Sequence, residues 1–192
     1  MKEVSSMSPK SPKKKLPKEV QKIMDLVQAQ TSDRDLVLNM TQEELALLPD
    51  DPLLCALQTR IQAVIDDPVK SQQQPKLPAL VFNVVCLFDS EIQEGGLLRF
   101  LLVYPDAAPV IASAFREMGA EAYCILYEVF CDSHGINLMD LSEFHASTVE
   151  ELQALNEKYP CSDFDSGYLA LCKSDPLEKH LLSYVRAHLD AF

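Results

Sequence analysis

Cys131, Asp132 and His134 stand close together, and thiolate, carboxylate and imidazole are the usual ligands of zinc and related ions. They supply three ligands of four at most, and no second cluster at matching spacing completes the set. His180 and His188 are eight residues apart on a predicted helix, whereas two histidines that chelate one ion from a single helix stand four apart. Cys161 follows Pro160 in a predicted loop without a local signature for the base a nucleophile needs. Glu94-Gly95-Gly96 has two glycines, but no Lys-Ser or Lys-Thr follows to hold a phosphate. These residues imply no catalytic group, no metal and no cofactor. The alternative is a metal-dependent or hydrolytic enzyme built on the Cys131/Asp132/His134 loop.

Carboxylates are the more numerous chemical groups. Asp50-Asp51, Asp66-Asp67 and Glu150-Glu151 have the residue types of acid/base pairs, but neighbours on a helix point apart. At helix starts such residues answer to the partial positive charge of unbonded N–H groups. Collectively they say more. Residues 1–20 carry six lysines and two glutamates, a net of +4, and residues 21–192 carry −16. From Asp132 to Asp165 eight acids face one base, Lys158, for a net of −7. A rigid surface of that sign repels nucleic acid and anionic membranes, attracts basic proteins, and imitates the phosphates that basic DNA-binding proteins recognise. Asp140, Glu143, Glu150, Glu151, Glu157, Asp163 and Asp165 are the residues expected to meet such a partner.

The elements that must position these groups read as helices. With 47% hydrophobic residues and 5 glycines in 192, composition suits a helical core better than a turn-rich β architecture. Leu77 to Gly96, LPALVFNVVCLFDSEIQEGG, reads as the buried central helix of an irregular all-α bundle. Pro78 fits its first turn and Gly95-Gly96 its end, where the chain turns back. A buried strand over Val81 to Phe88 is the alternative, since Val81, Val84 and Val85 are β-branched. Leu97 to Tyr104 follows as a short apolar segment.

Before the central helix, Val20, Ile23, Met24 and Val27 have helical spacing, and Thr41 with Glu44 has capping-box form. The helix ending at Asp66-Asp67-Pro68 turns Leu53, Leu54, Leu57, Ile61, Val64 and Ile65 inward. After the central helix come Ala107 to Met118, with Val110, Ile111, Ala114 and Phe115 inward and Gly119 as its stop, and Ala120 to Cys131. In the latter, Cys124, Tyr127 and Cys131 share one side, and Ile125, Leu126, Val129 and Phe130 widen the apolar surface. Two more run from Ser147 to Tyr159 and onward from Asp175-Pro176.

Residues 1–16 read as a disordered basic tail whose Ser-Pro-Lys pattern resembles arms that lie along DNA, 17–70 as an N-terminal helical segment, and 77–192 as the main helical domain. Between the last two, Gln72-Gln73-Gln74-Pro75 reads as linker. Six cysteines without a C-x-x-C pair, and lysines with no apolar run behind them, predict a soluble cytoplasmic protein with reduced thiols. A third reading is a structural or regulatory module that docks through its N-terminal helices.

A buried helix ending in Gly95-Gly96, an apolar segment with Phe100 and Tyr104, a helix closing at Met118-Gly119-Ala120, and Leu152-x-x-Leu155-Asn156-Glu157-Lys158-Tyr159 follow one another. This order, over Leu77 to Phe192, resembles the bacterial DNA-mimic protein family. Where that family often has Asn-Gly-Gly and an aromatic, this chain has Glu94-Gly95-Gly96-Leu97. The resemblance implies an all-helical domain whose acidic surface occupies the nucleic-acid site of a basic protein, a transcription factor or histone-like protein, without enzymatic chemistry.

Overall fold

The computed structural model describes residues 33–66 and 75–192, and among them there are helices and loops but no strand. The chain divides into two units, Met1–Asn39 and Met40–Phe192. In the first, residues 33–39 are helical. The lysine-rich tail, the helix expected around Val20 to Val27, and Gln72 to Gln74 lie outside the described residues.

The second unit contains α1 (Gln42–Ala46), α2 (Asp50–Asp66), α3 (Leu77–Val103), α4 (Ala108–Glu117), α5 (Glu121–Ser133), α6 (Val149–Lys158), α7 (Ser162–Ser174) and α8 (Leu177–Ala187). A 3₁₀ turn, Leu189–Ala191, follows α8. Helix α3 is the buried centre. Phe82, Val85 and Phe88 have no exposed surface, and the Phe88 ring meets five others near right angles: Phe100, Phe115, Tyr127, Phe164 and Tyr168, at 4.8 to 6.4 Å between centroids. Edge-to-face contacts of this kind favour aromatic packing beyond the area buried. The surrounding tyrosines keep their hydroxyls bonded. Tyr127 donates to the Ala108 carbonyl at 3.0 Å, Tyr123 to the Asp175 carbonyl at 2.6 Å and Tyr168 to Asp89 Oδ1 at 2.8 Å. Leu45 of α1 and Leu53 and Leu57 of α2 are wholly buried in the same unit.

Local chemistry sets the helix ends. Thr41 and Glu44 form the expected capping box, and Thr148 and Glu151 repeat it at the start of α6. Gly119, at φ 69, closes α4 by letting the Ala120 N–H reach the Phe115 carbonyl at 2.8 Å and its own N–H reach Arg116 at 3.0 Å.

Three expectations need correction. Gly95-Gly96 does not end the central helix: only Gly96 leaves helical geometry, at φ 77 and ψ 178, and the helix resumes through Leu97 to Val103. Val110 and Ile65 are exposed, because the Ala108–Ile111–Phe115 stripe faces inward one residue away from Val110, and the contact face of α2 is carried by Leu53, Ala56, Leu57 and Ile61. Ile125 and Val129 likewise lie on the outer side of α5, opposite its buried Tyr123, Tyr127 and Cys131. Helix α7 has no counterpart among the predicted elements, since serines, aspartates and Gly167 hide the spacing of its buried Phe164 and Tyr168. No described helix is long and apolar enough to cross a membrane.

Candidate functional site

The break in α3 gathers a small group of charged side chains. When the helix resumes, its first N–H groups have no partner in the preceding turn. Leu97 N–H donates to Asp165 Oδ1 at 2.9 Å, so a carboxylate of α7 caps the second half of α3. A Cβ on Gly96 would lie 2.4 Å from Asp165 Oδ2, so this position excludes a side chain twice over, by its φ and by the approach of the cap. Burial pushes the Asp165 carboxyl above its ordinary range, and the Leu97 N–H opposes that shift. Glu91, 7% exposed, is the one buried charged residue among the described residues. Its Oε2 lies 2.9 Å from Arg99 Nε, close enough for an ion pair but off hydrogen-bond geometry. Arg99 also reaches Glu94, at 3.4 Å. A Cβ on Gly95 would lie 2.3 Å from Arg99 Cδ, so this glycine leaves room for the arginine to fold back towards Glu91.

The other acids expected to face a partner divide by what they touch. Glu143 binds Lys158 Nζ and the Tyr159 hydroxyl, and those hydrogen bonds hold its carboxyl below the ordinary range. Glu151 accepts the N–H groups of Ser147 and Thr148 at 2.6 and 3.2 Å. Asp140 accepts the Ser142 N–H at 3.2 Å, and its bonds to Ser142 lower its pKa. Glu150, Glu157 and Asp163 are exposed and have no partner among the described residues. Glu150 and Glu157, seven positions apart on α6, lie on one side of it.

The alternative loop does not assemble. Cys131 is buried and its thiol is pushed up to about 12, mainly by desolvation, while Asp132 is exposed. His134 Nδ1 lies 3.0 Å from the Phe130 carbonyl, and its ring packs on Phe130 at 4.2 Å. Among the described residues no three His, Cys, Asp or Glu side chains converge as metal ligands. Cys161 is also buried, with its thiol pushed up to about 12 by burial.

The family model described as DMP19-like protein matches residues 75–188. The chain belongs to this family. DMP19 denotes DNA mimic protein 19, so the DMP19-like match spans α3 to α8, the part that carries the DNA-mimic resemblance. No curated protein and no solved structure matches the chain. Within the DMP19-like region the sequence reading missed Glu91 and Arg99. The available signal was a glutamate between Phe88 and Ile92 on the apolar stripe of a helix, where burial demands a counter-charge.

Proposed function

We propose that this chain binds a basic DNA-binding protein, a transcription factor or histone-like protein, by presenting carboxylates where that protein expects phosphates. The observation that carries this reading is how the charges pair. Residues 75–192 contain eighteen acids and seven bases. Six of those bases, Lys76, Arg99, Arg116, Lys158, Lys179 and Arg186, already have a carboxylate at 3.9 Å or less. The excess acids, Glu150, Glu157 and Asp163 among them, therefore face solvent without cations of their own. Such a field steers a basic partner and repels nucleic acid. Membership of the DMP19-like family supports the same reading.

The test is a titration of a histone-like protein with this chain at low and at high salt, with and without duplex DNA. Association should be fast, weaken steeply with salt, and compete with DNA for the histone-like protein. Binding that ignores salt sinks the electrostatic reading, and binding that leaves bound DNA in place sinks mimicry.

A further inference from the structure

The groove between α3 and α4 has a volume of about 500 Å³, and helices supply both its walls. Leu77, Leu80, Val81 and Val84 form one wall, at positions i, i+3, i+4 and i+7 of α3. Val110, Ser113, Ala114 and Glu117 repeat that spacing on the wall from α4. Each wall is therefore a single helical stripe of two turns, roughly 10 Å long. Leu77, Leu80 and Val110 are 67%, 45% and 47% exposed, so three large apolar side chains turned away from the core converge here. Glu117 is the one charged lining residue among the described residues. It is exposed and has no hydrogen bond or ion pair among them. It also ends α4, where the helix dipole already concentrates negative charge, so the stability of that helix gives no reason for an acid.

We infer that this groove receives an amphipathic helix of a partner protein, with apolar residues along its inner face and a lysine or arginine that meets Glu117. Apart from Asn83 and Ser113, the walls offer nothing to the N–H and C=O groups of an extended segment, whereas a helix arrives with its own already paired. The i, i+3, i+4, i+7 spacing of both walls accepts the matching stripe of a third helix. Covering Glu117 with apolar surface would strip its water without replacing it, and a cation on the occupant offsets that cost. A second copy of the chain is a poor occupant, since two bodies of formal charge −12 repel each other. The contact uses none of the carboxylates of α6 and stands independently of the electrostatic reading above.

The test uses the full chain and three labelled, alanine-based helical peptides. The first has leucines at i, i+3 and i+7 and a lysine one turn beyond each end of that stripe. The second replaces the leucines by Gln, and the third replaces the lysines by Glu. By fluorescence anisotropy at low salt, the first should bind at least about tenfold more tightly than the second and about threefold more tightly than the third. Leu80→Gln should abolish the preference for leucine, and so should Val110→Gln, a second exposed position in case the first variant perturbs folding. Glu117→Gln should abolish the preference for lysine and keep that for leucine. Equal binding of the first two peptides, no binding of the first, or a leucine preference that survives both wall variants overturns the inference. Each of these results leaves the titration of a histone-like protein as a separate test of the electrostatic reading. Conversion of a dimer to a monomer by Leu80→Gln in light scattering would mean that a second copy fills the groove, and would also overturn it.

Discussion

The acids around the break in α3 and the acids along α6 are the same residue types with opposite roles. Glu91 is buried against Arg99, and Asp165 is half-buried against the Leu97 N–H, so both carboxylates serve the fold. Glu150 and Glu157 are exposed and touch nothing that would neutralise them. A count of acids therefore overstates the free charge of this surface. What a carboxylate does is decided by whether the backbone leaves an N–H or a cation opposite it, and the break at Gly96 creates that demand on one side of the molecule.

Breaking the first region should have the largest effect. Gly96 occupies a backbone region that is nearly exclusive to glycine, and a Cβ there would collide with Asp165. Gly96→Ala should lower stability by about 3 kcal/mol, read as a lower midpoint in urea unfolding. Gly95→Ala should cost less, since its Cβ meets the flexible side chain of Arg99 rather than a fixed cap. Equal midpoints for Gly96→Ala and wild type would mean that the break is not required.

Arg99→Met comes next, because it leaves Glu91 charged, buried and alone. The expected loss is about 2 kcal/mol, below the usual value for a fully buried pair because the Arg99 side chain is 45% exposed. Thermal unfolding of Arg99→Met, Glu91→Gln and the double variant closes a cycle. The double variant should recover most of the loss, and strict additivity would deny the pairing.

Asp165 gives a subtler break, and its pH dependence has a definite sign. Asp165→Ala removes the cap and should cost about 1 kcal/mol at neutral pH. Asp165→Asn keeps an oxygen for the Leu97 N–H and removes the charge that burial disfavours. A carboxyl with a raised folded pKa binds its proton more readily in the folded chain than in the unfolded one. Its contribution to stability therefore grows as pH falls from neutrality through the raised pKa towards the ordinary Asp value of about 4, and is lost again on the way up. Stability of the wild type relative to Asp165→Asn should accordingly rise on acidification, as followed by urea midpoints between neutral pH and about pH 4. An opposite slope would mean that the Leu97 hydrogen bond, and not burial, governs this carboxylate.

Much of the bundle was legible because its signals are local. The Thr41/Glu44 capping box and the Gly119 stop each depend on residues within one turn, and the apolar run through Phe82 and Phe88 announces a helix buried on most sides. The region of the break was not legible, because its partners are distant in sequence. Asp165 lies 68 residues from Leu97, on a helix whose own apolar pattern is weak. The glycines could be seen to turn the chain but not to let it continue as helix, since that depends on a cap arriving from elsewhere. Of the seven acids expected on one surface, sequence could supply the charge of each. It could not show that Lys158 covers Glu143, that Ser147 and Thr148 occupy Glu151, or that Asp165 faces inward.

The smallest effect on stability should come from the second region, and it sharpens the comparison most. Glu150 and Glu157 are two turns apart on α6, about 10 Å along the axis, and support no hydrogen bond of the fold. Replacing both by Gln should leave the unfolding midpoint unchanged within about 0.5 kcal/mol. The same double variant should bind a histone-like protein more weakly at low salt and with a shallower dependence on salt, because two carboxylates no longer contribute to the field. Glu117→Gln with Glu121→Gln removes an equal charge from exposed positions on α4 and α5, and is the control that matters. If both double variants flatten the salt dependence equally, the whole acidic body acts as one diffuse field. If the α6 pair alone does so, the free carboxylates of α6 are where the partner's cations sit.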